Sequence, residues 1–182
     1  AVWEKFTRNG YTVFMAVPTI YTRLIRAWEE APPGERKAMS RAARSMRLMV
    51  SGSAALPVGT LHKWEEITGH VLLERYGMTE IGMALSNPLV GKRMPGRVGA
   101  PLPGVEVALI DEEGEILSGP AEGEIIVRGP NVFLEYWRRP EEISGSFIQG
   151  GWFRTGDAAE RDGEGIYRIL GRKSVDIIKS GG

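Results

Sequence analysis

Two short blocks carry the side chains best suited to chemistry: Glu74-Arg75-Tyr76-Gly77-Met78-Thr79-Glu80 and Gly151-Trp152-Phe153-Arg154-Thr155-Gly156-Asp157. Each packs an aromatic ring, glycine, a hydroxyl and a carboxylate into what reads as one short turn. That mixture suits a ligand with a flat apolar base, a diol, phosphates and a metal ion. Tyr76 offers a face for stacking, and Gly77 allows a base to approach the backbone closely. Thr79 can donate to a phosphate oxygen, and Glu80 can hold a magnesium ion that bridges phosphates. Alone, the same pentapeptide equally describes a strand-to-helix turn with Thr and Glu as caps. Gly156-Asp157 reads as a tight turn whose carboxylate can accept two hydrogen bonds from a ribose diol; alone it is an ordinary β-turn aspartate. Two further elements point the same way. Arg172, in Leu170-Gly171-Arg172, follows a strand and can reach ribose or phosphate, and Ser51-Gly52-Ser53-Ala54-Ala55 supplies small residues that leave room for a flat ligand.

The elements that must position these residues follow from hydrophobic period and chain breakers. Tyr11 to Val17 reads as a buried strand, and Pro18 suits the first turn of a helix in which Ile20, Leu24 and Trp28 recur every four residues. Ala31-Pro32-Pro33-Gly34 ends that helix. A second helix spans Arg36 to Arg44, a strand Met46 to Val50, and a third helix Leu56 to Thr68, with Gly69 as its stop. Val71 to Leu73 is a short strand leading into the first block, whose side chains then emerge at the carboxyl end of a sheet, where open α/β folds place ligands. Near Pro95 the character changes. Val105 to Ile110 and Glu115 to Leu117 flank Asp111-Glu112-Glu113-Gly114 as a hairpin, Glu124 to Arg128 alternates, and Asp162-Gly163-Glu164-Gly165 joins two more short strands. The layout is α/β over residues 1–95, then β-rich over residues 96–170.

Composition narrows the classes. Lys plus Arg and Asp plus Glu each number 23 in 182 residues, so net charge points to neither nucleic acid nor an anionic membrane face. The chain has no cysteine, which excludes disulfides, thiolate metal sites and a cysteine nucleophile within it. Its 2 histidines, His62 and His70, are too few for a zinc site without carboxylates. The apolar stretch Val13 to Val17 is too short for a membrane span. With no initiator Met and an end at Gly181-Gly182, the sequence reads as a piece of a longer protein.

Tyr-Gly-Met-Thr-Glu at 76–80, Gly-Trp-Phe-Arg-Thr-Gly-Asp at 151–157 and Gly-Arg at 171–172 stand in one order. In that order, and over nearly the whole chain, the sequence resembles the adenylate-forming superfamily of acyl-CoA synthetases, nonribosomal adenylation domains and luciferases. The resemblance implies the C-terminal part of such an enzyme's large N-terminal domain: an α/β subdomain, a small β-barrel-like subdomain, and a hinge region over residues 171–182. It implies ATP, Mg2+ and CoA as reactants. A carboxylate attacks the α-phosphate of ATP to give acyl-adenylate and pyrophosphate, and a thiol then displaces AMP. By the same resemblance Tyr76, Gly77 and Met78 hold adenine, Asp157 the ribose, Arg172 the nucleotide near the hinge, and Thr79 the α-phosphate. Glu80 binds magnesium, and Ser51, Gly52, Ser53 and Ala54 line the adenine and acyl pockets. Thr79 and Glu80 are the expected catalytic pair.

Glu74-Arg75-Tyr76, Val50 to Pro57, Val17 to Arg23 and Ser174 to Lys179 resemble the malonyl-CoA synthetase branch, the mitochondrial type in particular. That implies malonate or methylmalonate as the acid, and a mitochondrial location if the protein is of that type or a cytoplasmic one otherwise. A dicarboxylate leaves one carboxylate unreacted in a dry pocket, and a guanidinium can pair with it bidentately. Arg75 is the candidate and Arg23 a weaker one; otherwise Arg75 pairs with Glu74 or caps a strand end. A medium- or long-chain acyl-CoA synthetase and a non-catalytic module of the same fold remain open. Arg36, Lys37, Arg41, Arg44 and Arg47 can attract CoA phosphates but read more simply as a solvated helix face. The family's Ser/Thr/Gly-rich phosphate loop and its catalytic lysine are not in this sequence, and Ser174 stands where many relatives carry Asp or Lys. The piece by itself is therefore expected to be largely inactive.

Overall fold

The computed structural model describes residues 2–8, 10–143 and 145–172, so Ser174 and the rest of the hinge region after Arg172 lie outside the described residues. The chain divides into two units: unit 1 is Ala1–Arg75 with Asn87–Gly96, and unit 2 is Tyr76–Ser86 with Arg97–Gly182. Residues 76–86, ahead of the compositional change near Pro95, thus belong with the β-rich part.

Unit 1 contains helices α1 (Val2–Thr7), α2 (Pro18–Glu30), α3 (Pro33–Arg44) and α4 (Val58–Thr68) around strands β1 (Val13–Ala16), β2 (Leu48–Ser51) and the start of β3 (Leu73–Met78). Prolines open α2 and α3, where a missing N–H costs nothing. Gly69 ends α4 in the left-handed region at φ 78°, its N–H donating 2.7 Å to the Glu65 carbonyl. β2 runs parallel to β1 and β3, pairing Val13 with Leu48 and Val50 with Leu73. The helices between them supply the crossovers that parallel strands require. Trp64, Tyr21, Met49, Leu61 and Leu72 are fully buried between helices and strands. Trp3 stacks on Trp64 at 5.5 Å and donates from its indole nitrogen to the Leu24 carbonyl. That is why α1, which has no periodicity long enough to read from sequence, forms at all: its Trp3 and Phe6 complete the core.

In unit 2, β4 (Gly82–Ser86) pairs antiparallel with β5 (Ala100–Pro101). The remaining strands are β6 (Glu106–Ile110), β7 (Ile116–Leu117), β8 (Ala121–Arg128), β9 (Phe147–Ile148), β10 (Trp152–Arg161) and β11 (Tyr167–Arg172). They form an antiparallel half-barrel in the order β11-β10-β8-β6-β7, with β9 on β10. Both expected hairpins, β6–β7 and β10–β11, are present. β8 does not alternate as expected, because Glu124 to Val127 are buried in succession, with Ile125 and Val127 in one cluster and Ile126 in another.

Two local expectations are corrected. The first block is not one turn: β3 runs through Met78, Thr79-Glu80 make the turn, and a strand follows instead of a helix. Gly77 explains the hairpin. A Cβ there would lie 2.0 Å from the Gly82 carbonyl oxygen, so the glycine admits the neighbouring backbone. Nor is Gly156-Asp157 a turn between strands; it is a bulge inside β10, with Gly156 at φ 75°.

Candidate functional site

Unit 2 gathers most of the motif residues. From β3, the Tyr76 ring packs partly buried against the core, and its hydroxyl donates 2.6 Å to Asp157 Oδ2. Burial, reinforced by Asp157, holds the phenol well above its ordinary pKa, so it stays a donor. Arg172, largely exposed at the end of β11, lies 3.9 Å from Asp157 Oδ1. Thr79 is exposed at the tip of the turn, and Glu80 beside it is half-buried. Tyr136 donates 2.9 Å to Glu80 Oε1, and burial with the Glu80 charge raises the Tyr136 pKa. A cleft of about 430 Å³ opens here, lined by Met78, Glu80, Tyr136, Arg154, Gly156 and Arg172 among others. Among the described residues no three His, Asp or Glu side chains group to hold a metal. A magnesium ion on Glu80 would therefore complete its shell with phosphate and water oxygens, which is this ion's ordinary habit.

The small-residue loop and Arg75 belong to unit 1. Ser51 and Gly52 are buried, while Ser53, at φ 66°, and Ala54 are exposed. A Cβ on Gly52 would lie 2.8 Å from Arg75 Nε and 2.9 Å from its Cζ, so the glycine is what lets the guanidinium lie against the loop. Arg75 does not pair with Glu74. The buried Glu74 carboxylate instead accepts the Gly96 N–H at 3.0 Å and that of Leu56, and burial raises its pKa from 4.5 to about 7. Arg75 Nε and Ser51 Oγ are buried and find no hydrogen-bond partner among the described residues. A cavity of about 170 Å³ lies beside them, lined by Met15, Val17, Val50, Gly52, Ser53 and Arg75. Arg23 is exposed on α2 and does not line it. Of the basic run, Lys37, Arg41 and Arg44 on α3 and Arg47 beyond it are exposed, whereas Arg36 is half-buried, donating to the Ala31 carbonyl and lying 5.2 Å over the Trp28 ring.

The AMP-binding enzyme family matches residues 1–137. The chain belongs to that family. Among similar relatives, the mitochondrial malonate–CoA ligase of Bos taurus is 50% identical over 100% of this chain and 35% of its own length. The malonate–CoA ligase of Arabidopsis thaliana is 52% identical over 98% of this chain and 29% of its own length. Among solved structures, a malonyl-CoA ligase ternary product complex with methylmalonyl-CoA and AMP superimposes with a TM-score of 0.83 and 42% identity over 96% of this chain and 37% of that one. ATP-bound MatB from Rhodopseudomonas palustris gives 0.81 and 44%, over 94% and 32%. The chain thus spans about a third of the length of the relatives it matches. These likenesses bear out the mixed α/β fold of an adenylate-forming enzyme's large domain.

Several contacts around these residues escape sequence reasoning. Tyr136, 56 positions from Glu80, carries no motif of its own. Glu124 and Arg154 pair across 30 positions, and Thr155 donates to the Ile125 carbonyl. The available signal was weak: a glutamate flanked by apolar residues in Gly123-Glu124-Ile125-Ile126-Val127 must find a partner if the strand is buried.

Proposed function

We propose that this chain forms the acid-binding and much of the nucleotide-binding part of an ATP-dependent acid–thiol ligase that converts malonate or methylmalonate to its CoA thioester. The observation that carries the substrate is the Arg75 guanidinium, laid over Gly52 at the wall of a small cavity with Nε buried and unpartnered. A buried cationic donor without a partner is costly, and a substrate carboxylate offers a bidentate one. A cavity of about 170 Å³ suits a three- or four-carbon diacid better than a fatty chain. The relatives named malonate–CoA ligase support the same substrate and CoA as the acceptor, and the mitochondrial name of the bovine one supports that location.

In this reading one malonate carboxylate pairs with Arg75 and the other attacks the α-phosphorus of ATP. An acyl-oxygen-to-phosphorus bond forms, the bond to the β-phosphate oxygen breaks, and pyrophosphate leaves. The CoA thiol then attacks the acyl carbon, and AMP departs. Thr79 donates to the α-phosphate, Tyr76 and Gly77 face adenine, and Asp157 accepts the ribose hydroxyls. Glu80, with Tyr136 steadying one oxygen, would hold a magnesium ion that offsets charge between nucleophile and phosphate. Arg172 adds a cation beside Asp157.

The test is pyrophosphate release by the full-length protein that contains this chain, with malonate, methylmalonate, acetate and a long-chain acid in parallel. Malonate or methylmalonate should lead, and Arg75→Leu should remove that activity by about 100-fold or more, the cost of stranding one partner of a buried ion pair being about 3–5 kcal/mol. Fatty acid turnover that survives Arg75→Leu would identify a long-chain synthetase instead, and no release with any acid would leave a non-catalytic module.

A further inference from the structure

We infer that Glu124 is a positioning residue for the ribose carboxylate of Asp157: it clamps the three-residue bulge that presents Asp157. This rests on the reading that Asp157 accepts the ribose diol. In the β10–β8 ladder Arg154 pairs with Ile126 and Ala158 with Glu124, so four steps along β10 match two along β8. The two surplus residues must leave the ladder, and Thr155, Gly156 and Asp157 form the resulting loop. Bulges of this kind re-aim a side chain, but a bulge held only by its neighbours would sample several conformations.

Each of the three residues is pinned. Thr155 donates 2.9 Å to the Ile125 carbonyl, and its oxygen accepts the Asp157 N–H at 3.1 Å. The Gly156 N–H points at Glu124 Oε1 at 3.3 Å. Glu124 is 3% exposed and is held from the other side by Arg154, with Nε at 3.1 Å from Oε1 and Nη2 at 2.5 Å from Oε2. This fork engages both carboxylate oxygens and fixes the plane in which Oε1 meets the glycine N–H. At φ 75° Gly156 sits where a side chain is strained, so no bulkier residue could hold the bulge by packing. On the β8 side the clamp comes from across the strand pair, while Asp157 is also paired with Arg172 on β11 and accepts the Tyr76 hydroxyl. Glu124 and Arg154 also line the cleft that Glu80 and Arg172 border. A surface ion pair of the same type, Glu106 with Arg128, lies on the same half-barrel, and the other partners of Arg128, the Gly150 carbonyl and the Trp152 ring, are outside the bulge.

The experiment compares binding of AMP and of 2′,3′-dideoxy-AMP, which lacks the diol, by the full-length protein that contains this chain and by its variants. The native chain should prefer AMP by about tenfold or more, as expected for hydrogen bonds to a charged acceptor. Glu124→Gln keeps the volume but places an amide donor against Arg154; it should cut that preference below about threefold while dideoxy-AMP affinity changes little. Thr155→Val, which removes the other pin, should do the same, and Glu106→Gln should not. Hydrogen exchange at the Gly156 amide gives a second readout, rising in Glu124→Gln while the β8 core amides remain protected. A native chain that binds the two nucleotides equally would refute the Asp157 reading and this inference with it. A native preference that persists undiminished in folded Glu124→Gln would refute the clamp alone.

Discussion

Among the described residues each unit buries one carboxylate beside its motif residues, and the two are treated in opposite ways. Glu74 in unit 1 has backbone N–H groups for partners, from Gly96 and Leu56, and its pKa rises to about 7. Glu124 in unit 2 is gripped by the Arg154 fork. The cation nearest Glu74 in sequence, Arg75, ignores it and turns to the Gly52 side. Unit 1 thus leaves a guanidinium unspent on internal pairing, whereas unit 2 spends one on rigidity. A group left unpaired in the fold is available to a ligand; a group paired in the fold holds geometry. The glycines differ in parallel. A Cβ on Gly52 would meet the far end of a flexible side chain, and one on Gly77 would meet backbone.

The largest effect should separate these glycines. Gly77→Ala puts a methyl 2.0 Å from the Gly82 carbonyl oxygen, and neither backbone can step aside. It should cost about 4 kcal/mol or more, read as a collapse of the denaturation midpoint. If the variant melts like the native chain, the close approach is not what makes the hairpin.

The carboxylates supply the next test. Because Glu74 titrates at about 7 when folded and near 4.5 in its ordinary state, the folded chain keeps a proton that the unfolded chain releases between those values. Stability should therefore fall as pH rises from 4.5 to about 7 and then level off. Glu74→Gln should flatten that slope, gaining up to roughly 3 kcal/mol over the native chain at pH 8 and almost nothing at pH 4 in denaturant titrations. Because burial holds the His70 pKa down and gives a contribution of opposite sign, the deciding quantity is the difference between Glu74→Gln and the native chain; a difference that does not widen over this window would contradict the burial argument.

Gly52→Ala should cost only about 1 kcal/mol of stability, since a side-chain end can move. It should nonetheless erode the preference for malonate over acetate by about tenfold, because the guanidinium must leave its seat. Tyr136→Phe is the mildest change. Losing one hydrogen bond to Glu80, worth about 0.5–1.5 kcal/mol, should raise the magnesium concentration that ATP binding requires about two- to tenfold in a metal titration.

The order of helices and strands in unit 1 was legible because apolar period and proline or glycine punctuation are local. The motif residues were legible because their types already state a chemistry. Reading the first block as a single turn failed for a tertiary reason: Gly77 answers to Gly82 across a hairpin, not to its own neighbours. Gly156-Asp157 looked like a turn because a bulge and a turn use the same left-handed glycine; only strand register tells them apart. Sequence by itself thus determined the family, the alternation of elements in unit 1, and which residue types could face a nucleotide and a diacid. Tertiary structure alone decided the carboxylate that Arg154 meets and the turning of Arg75 away from Glu74. Arg154 reaches Glu124 across 30 positions, whereas Arg75 passes its own neighbour Glu74 by, because successive side chains on a strand point to opposite faces and pairing follows the face, not the sequence.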